Sequence, residues 1–113
     1  MLPVTYLFVP GNRPERFAKA LASGADAIVL DLEDAVAPAD KQAARQHIAD
    51  WTAKTGIAPE QLVVRVNDAL SPWFANDLAM IKASGIKRVM LPKTEFGEQI
   101  KAAIAATSYE LTV

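Results

Sequence analysis

Three carboxylates stand close together at the end of an apolar segment. Residues 28–32 are apolar apart from Asp31, and Glu33 and Asp34 follow directly. An unpaired buried charge is costly, so we expect this segment to be a strand that ends where its acids meet water, a cation or a ligand. In folds built from parallel strands, that place is the carboxyl edge of the sheet, where active sites lie.

Arg65 gives these acids a basic counterpart, because it stands near the end of a second apolar segment, residues 62–66. Alternate side chains of a strand share a face, so Asp31 and Glu33 point together. Neighbouring strands lie about 4.8 Å apart, which puts Arg65 within reach of either acid. Such a group could bind a carboxylate substrate together with a hard cation, or it could be an ion-pair cluster that only closes the strand ends. The residue types allow both.

A second candidate site lies near the start of the chain, after Pro10-Gly11. Asn12 and Glu15 have the spacing of a capping box, which predicts a helix that begins here. Helix N-termini attract phosphate groups, and Arg13 would add a bidentate donor, with Lys19 able to join it.

The elements that must position these residues follow from the apolar pattern. Strands are predicted at residues 5–9, 27–32, 62–66 and 88–91, with the start of a fifth at 109–113. Helices are predicted between them, at about residues 12–24, 38–54, 71–85 and 96–106. This alternation predicts an α/β fold of parallel strands joined by right-handed crossovers. Periodicity does not choose between an open doubly wound sheet and an eight-stranded barrel, although no G-x-G-x-x-G turn follows the first strand.

The composition excludes several functions. The chain has 113 residues and a formal net charge of −1, so no basic excess indicates nucleic acid or an anionic membrane. It contains no cysteine, which excludes disulfides, thiolate metal sites and a cysteine nucleophile. The start lacks the basic region of a signal peptide, and no apolar run reaches the roughly 20 residues of a membrane span. We expect a cytoplasmic protein.

Five sequence blocks resemble the citrate lyase beta subunit family, the citryl-CoA lyase and malyl-CoA lyase group of the HpcH/HpaI aldolase superfamily. They are LFVPGNRPERF at 7–17, the residues around GAD at 24–26, LDLEDAV at 30–36, VRVN at 64–67 and LPK at 91–93. The resemblance implies a parallel (β/α)8 TIM barrel. Residues 1–113 would then be the N-terminal half of one such domain, about four βα units and the start of strand five. It also implies a homo-oligomer, trimeric or hexameric, or a lyase complex.

The resemblance further implies a reaction and its site residues. Family members cleave a 3-hydroxyacyl-CoA of the citryl or malyl type into acetyl-CoA and a 2-oxo acid, with Mg²⁺. Arg65 matches the catalytic arginine that binds the substrate carboxylate. Glu33 and Asp34 match acids that line the mouth of the site and reach the metal through water. The positions that match CoA contacts are Phe8, Arg13 and Lys19.

The sequence also departs from the family. The two carboxylates that hold Mg²⁺ in the family lie at the ends of strands five and six, so we expect the metal ligands beyond Val113. On this reading the isolated chain is inactive. Two alternatives stay open: a truncated fragment that binds CoA or a partner subunit, and a CoA-free, metal-dependent 2-oxo-acid aldolase of the same superfamily. The block from Phe8 to Lys19 distinguishes a CoA-dependent lyase from a CoA-free aldolase, because the aldolase needs no anion site there.

Overall fold

The computed structural model describes residues 5–57, 59–91 and 110–112. The strands are β1 (Tyr6–Pro10), β2 (Ala27–Asp31), β3 (Leu62–Arg65), β4 (Arg88–Met90) and β5 (Glu110–Thr112). The helices are α1 (Phe17–Leu21), α2 (Lys41–Thr55) and α3 (Phe74–Ser84). Short 3₁₀ turns precede α1, α2 and β3, at Pro14–Arg16, Pro38–Asp40 and Pro59–Gln61. The helix predicted at 96–106 and the LPK lysine, Lys93, lie outside the described residues.

The five strands form one parallel sheet in which each strand pairs with the next along the chain, in the order β1-β2-β3-β4-β5. A doubly wound sheet reverses its strand order at a switch point. No reversal occurs among the described strands, and an unbroken chain order is how consecutive strands of a TIM barrel are arranged. The topology therefore favours the barrel over the open sheet.

The inner strand β2 is buried on both faces, as its apolar sequence predicts. One face packs against the helices: Leu30 belongs to the large core that also contains Phe17 and Ile48. The other face forms a smaller cluster in which Val29 meets Val63. The alternation along β2 therefore sends Asp31 to the face that the helices do not cover.

Helices α2 and α3 begin and end close to their predicted bounds. Gly56 and Gly85 end them in the left-handed conformation, with φ of 62° and 72°. Ala44 and Ile48 of α2 are fully buried, as the helical spacing predicts. None of the helices in the described ranges has the length and apolarity that a bilayer crossing needs.

The first helix differs from the prediction. It is a 3₁₀ turn followed by only five α-helical residues, and its N-cap residue is Arg13, with no side-chain capping bond. The predicted Asn12–Glu15 capping box is therefore wrong. Two backbone hydrogen bonds fix the turn in another conformation. The amide of Gly11 donates to the carbonyl of Asp31 (2.8 Å), which is a tertiary contact, and the amide of Arg13 donates to the carbonyl of Pro10 (3.0 Å), so that Arg13 rather than Asn12 becomes the N-cap.

Gly11 joins the end of β1 to the end of β2. A Cβ at this position would lie 2.7 Å from the carbonyl oxygen of Asp31 and 3.2 Å from Cδ1 of Ile48. Only glycine allows the backbones to approach so closely. The Pro10-Gly11 turn thus packs directly against the strand end that carries the acids.

Candidate active site

Arg65 and Asp31 form a bidentate ion pair at the carboxyl edge of the sheet. They lie opposite each other in the β2–β3 register. The Arg65 Nε donates to Oδ1 of Asp31 at 2.7 Å, and Nη2 donates to Oδ2 at 2.9 Å. The Asp31 side chain is 1% exposed and that of Arg65 is 23% exposed. The prediction that Arg65 reaches these acids is confirmed, and Asp31 is the acid that it grips.

Asp31 also organises the loop that follows β2. Its Oδ1 accepts the amide of Glu33 at 3.1 Å, and its Oδ2 accepts the amide of Ala35 at 2.8 Å. Burial on its own would raise the pKa of Asp31. The Arg65 guanidinium and these two amides outweigh burial and leave that pKa below its ordinary value. Asp31 is therefore an ionised anchor, and each of its oxygens already accepts two hydrogen bonds.

Glu33 stands beside this pair with a different electrostatic character. Its Oε1 lies 3.6 Å from Nε of Arg65. Burial and the adjacent Asp34 carboxylate raise the pKa of Glu33, against the opposing pull of Arg65. Asp34 itself is exposed, and the loop amides of Glu33 and Ala35 are bound by Asp31 instead. Glu33 and Asp34 therefore form an acidic rim beside the arginine, with Glu33 the nearer of the two to its guanidinium.

Phe8 brings β1 into the same site. The Cζ of Arg65 lies 5.3 Å from the centre of the Phe8 ring, a cation–π distance. The ring is 47% exposed, so its remaining surface is open to a ligand. With Nε and one hydrogen of Nη2 bound to Asp31, the donors of Arg65 left for a ligand are those on Nη1 and the other hydrogen of Nη2.

The three predicted CoA positions do not form one cluster. Phe8 and Lys19 line a shallow groove of about 370 Å³ between β1 and α1, together with Arg16 and apolar residues of β1. Arg13 is exposed and is not among the residues that line this groove. Because α1 has only five residues, the helix-dipole part of the predicted anion site is small. Any affinity for phosphate must come from the basic side chains.

The described residues do not by themselves suit a Mg²⁺ site. No group of three or more acidic or histidine side chains that could hold a metal ion occurs within the described ranges. Asp31 has no free acceptor position, because four donors already occupy its two oxygens. Glu33 and Asp34 remain available, as a pair that could contact a hydrated ion through water.

Two buried polar residues beside the site were not predicted. Lys41 and Asp77 are 4% and 0% exposed. A signal for both exists in the sequence. Lys41 precedes the buried Ala44 by three positions, and Asp77 precedes the buried Ile81 by four, so helical spacing places each on the inward face.

Comparison with known proteins identifies the family. The protein-family model described as HpcH/HpaI aldolase/citrate lyase matches residues 5–111 of this chain. The chain belongs to this family. The resemblance on which the site residues were selected is thereby confirmed at the level of the family.

Individual relatives agree with this placement. A citrate lyase subunit beta-like protein of Mycobacterium tuberculosis is 46% identical over 95 residues, which are 84% of this chain and 33% of that protein. The L-malyl-CoA/beta-methylmalyl-CoA lyase of Rhodobacter capsulatus is 37% identical over 102 residues, 88% of this chain and 32% of the lyase. The chain thus spans about a third of the length of these curated relatives.

A solved structure confirms the fold. The protein CitE of Mycobacterium tuberculosis, in complex with magnesium, acetoacetate and coenzyme A, superposes with a TM-score of 0.76 at 45% identity. The superposition covers 88% of this chain and 35% of CitE. Solved structures of citrate lyase beta subunits, of which CitE is one, are TIM-barrel-like. This agrees with the unbroken strand order and decides for the barrel over the open sheet.

Proposed function

We propose that residues 1–113 are the N-terminal half of a single TIM-barrel domain of a carbon–carbon lyase. Its substrate is a 3-hydroxyacyl-CoA of the citryl or malyl type, and its products are acetyl-CoA and a 2-oxo acid. The observation that carries the proposal is the Arg65–Asp31 pair, which presents free guanidinium donors at the carboxyl edge of the sheet. The membership of the chain in a lyase and aldolase family supports the reaction class.

The reaction needs a group that holds the oxo-acid portion while the bond breaks. The substrate hydroxyl loses its proton and becomes a carbonyl, the carbon–carbon bond breaks, and its electron pair passes to the acetyl thioester as an enolate, which then takes up a proton. Arg65 would bind the carboxylate through Nη1 and the free hydrogen of Nη2, in the bidentate geometry that guanidinium groups favour. Asp31 fixes the direction of those donors.

The metal is the second requirement. We propose that Mg²⁺ is held by carboxylates beyond Val113, at the ends of strands five and six, as the family resemblance implies. Within the described residues Asp31 already accepts four hydrogen bonds, and no cluster of metal ligands occurs. Glu33 and Asp34 would contact the hydrated ion through water. The isolated chain would then bind ligands without turning them over.

The thioester would lie along β1 and α1. The groove there includes the edge of β1 that pairs with no described strand and that the last strand of a closed barrel would cover. The CoA contacts are therefore proposed from the family resemblance and from the basic side chains nearby, Arg13 and Lys19, which are exposed. CitE of Mycobacterium tuberculosis binds coenzyme A. We assign Phe8, Arg13 and Lys19 to contacts with CoA.

Titration with acetyl-CoA tests the thioester assignment. Replacing Lys19 or Arg13 by alanine should weaken binding by about fivefold to tenfold each, the loss of one charge-assisted contact. Lys54→Ala is the matched control, since Lys54 is an exposed lysine near the far end of α2. Binding that is the same in all three variants would remove the CoA assignment and favour the CoA-free aldolase.

The assembly and location are part of the same proposal. We expect a homo-oligomer, trimeric or hexameric, or a lyase complex, in the cytoplasm. Analytical ultracentrifugation measures the oligomeric state of the intact protein, by which we mean the proposed whole lyase that contains residues 1–113. A monomer at micromolar concentration, with no partner subunit, would contradict it.

A further inference from the structure

Lys41 is a buried lysine whose ammonium group is fully hydrogen-bonded. It is the first residue of α2 and is 4% exposed. Its Nζ donates to the carbonyl oxygens of Leu32 and Glu33 at 2.8 and 2.9 Å, and to Oδ1 of Asn67 at 2.7 Å. A lysine ammonium has three N–H donors, so these bonds use all of them.

These contacts join two loops at the carboxyl edge of the sheet. Leu32 and Glu33 follow β2, whereas Asn67 follows β3. Asn67 is itself held by Asp77, which accepts both its backbone amide (2.9 Å) and its side-chain amide (2.7 Å). The Lys41 ammonium thus connects the loop after β2 to Asn67, which follows β3 and is held in place by Asp77.

An aromatic ring completes the enclosure of this ammonium. The Nζ of Lys41 lies 4.9 Å from the centre of the Trp73 ring, and Trp73 belongs to the segment between β3 and α3. The ammonium is therefore surrounded by residues from α2, from the loop after β2 (residues 32–37, the β2 loop) and from the segment between β3 and α3. Burial lowers the pKa of Lys41, against the pull of nearby carboxylates, of which Asp77 is the foremost.

The residues that Lys41 holds are those that carry the candidate active site. The Glu33 whose carbonyl it binds lies 3.6 Å from Arg65, and the amide of Glu33 donates to Asp31. The amide of Leu32 donates to the carbonyl of Arg65 at 2.9 Å. A shift of the β2 loop would therefore change both the rim acid and the anchor of the arginine.

We propose that Lys41 is a positioning residue, whose ammonium ties the β2 loop to Asn67 and so holds Glu33 and Arg65 at the separation that the substrate carboxylate requires. The proposal rests on the proposed function, because it assigns Lys41 a part in that site. A role as a reacting amine does not fit, since the amine is buried and every N–H is bound. The other reading is a lysine that contributes only to stability.

Lys41→Met separates these readings, because methionine keeps most of the length of the chain and removes all three donors. Arg45→Met is the matched control. Arg45 lies one turn further along α2 and pairs with buried Asp77 at 3.1 Å, so its loss also removes a buried ion pair. Within the described residues Arg45 makes no hydrogen bond or ion pair with the loop after β2. Both variants should lose stability. Lys41→Met should alter the site more, because Arg45 reaches the loop after β2 only indirectly, through Asp77 and Asn67.

Two readouts measure the site in the intact protein. The first is amide hydrogen exchange at Glu33 and Ala35, whose amides bind Asp31. Lys41→Met should speed it by about tenfold or more beyond the change at amides of the β3 strand. The second is steady-state cleavage of malyl-CoA or citryl-CoA. Here Lys41→Met should raise KM by about tenfold with a smaller change in kcat, while Arg45→Met should raise KM clearly less than Lys41→Met does.

The outcomes are distinguishable from failure of the proposed function. If the wild type cleaves neither thioester, the lyase proposal fails, and the exchange at Glu33 and Ala35 still decides whether Lys41 positions the loop. Equal effects of Lys41→Met and Arg45→Met on exchange would overturn the positioning role. If Lys41→Met does not fold, Lys41→Gln, which retains donors for part of the acceptor set, is measured in the same way. It should speed exchange at Glu33 and Ala35 more than exchange at amides of β3, and no such difference would overturn the positioning role.

Discussion

Replacement of Asp31 by asparagine tests how the site is built. Asp31 receives two charge-assisted hydrogen bonds from Arg65 and two from loop amides. Asparagine keeps the shape and one carbonyl oxygen, but it removes the charge and turns an NH₂ group toward donors. The free energy of unfolding should fall, and the loop after β2 should loosen.

The size of the effect follows from the contacts. A hydrogen bond to a charged group contributes about 1.5–3 kcal/mol, and breaking a buried ion pair costs about 3–5 kcal/mol. The Arg65 side chain is 23% exposed, so water recovers part of the loss. We therefore expect Asp31→Asn to cost about 2–4 kcal/mol, which at an m-value of about 1.5 kcal/mol/M lowers the urea midpoint by about 1–3 M.

The lowered pKa of Asp31 predicts how the stability difference between wild type and Asp31→Asn changes with pH. The pKa of Asp31 in the folded protein lies below its ordinary 3.8, so the unfolded state binds more protons between the two values. The contribution of Asp31 is therefore fully present above the ordinary pKa and is lost as the pH falls through the folded pKa. Urea unfolding from pH 7 downward should show the gap between wild type and Asp31→Asn closing in acid.

Asp34→Asn is the control, since Asp34 is exposed in the same loop. It should change the free energy of unfolding by less than about 0.5 kcal/mol at pH 7. The reasoning is refuted if Asp31→Asn matches this control at pH 7. It is also refuted if the gap to wild type stays constant into acid, because the lost interaction would then not be that of an ionised carboxylate.

Three further substitutions test the surrounding packing. Gly11→Ala should cost about 1–3 kcal/mol, because its Cβ would lie 2.7 Å from the Asp31 carbonyl; an unchanged Tm would mean that the turn can move away. Asp77→Asn should cost about 2–4 kcal/mol in urea unfolding, since buried Asp77 accepts two bonds from Asn67, and a neutral result would contradict its role as anchor. Phe17→Ala should cost about 3–5 kcal/mol in thermal unfolding, given that Phe17 is 0% exposed; a loss under about 1 kcal/mol would contradict its place in the core.

The sequence predicts the strands and the longer helices because their signals are local. Apolar runs and glycine stops mark β2, β3, α2 and α3. The structure places both strands and the ends of both helices within one residue of the prediction, and the two helices begin three residues later than predicted. The closure of the sheet is not local. It depends on which strands pair, and an alternation of strands and helices is the same in a barrel and in an open sheet.

The ion pair was predictable only in part. Alternation puts Asp31 and Glu33 on one face, and both came within reach of Arg65 as expected. The choice between them depends on register: Arg65 lies directly opposite Asp31, and Glu33 lies past the end of β2. Register is set by the whole sheet, so the sequence could name the candidates without choosing one.

The errors have a common physical origin. The predicted cap at Asn12 is a local preference, and it loses to the tertiary bond between the Gly11 amide and Asp31. Lys41 and Asp77 stand on the inward faces of their helices, which helical spacing could have shown. Their partners come from other elements of the chain, so spacing alone gives no role for either residue.

The central claim is that Arg65 binds the substrate carboxylate while the carbon–carbon bond breaks. Steady-state cleavage of malyl-CoA and citryl-CoA by the intact protein, with wild type and Arg65→Lys compared, tests it most directly. Lysine keeps the charge and loses the bidentate fork, so kcat/KM should fall by about 10²–10³-fold. Cleavage by Arg65→Lys near the wild-type rate would contradict the claim.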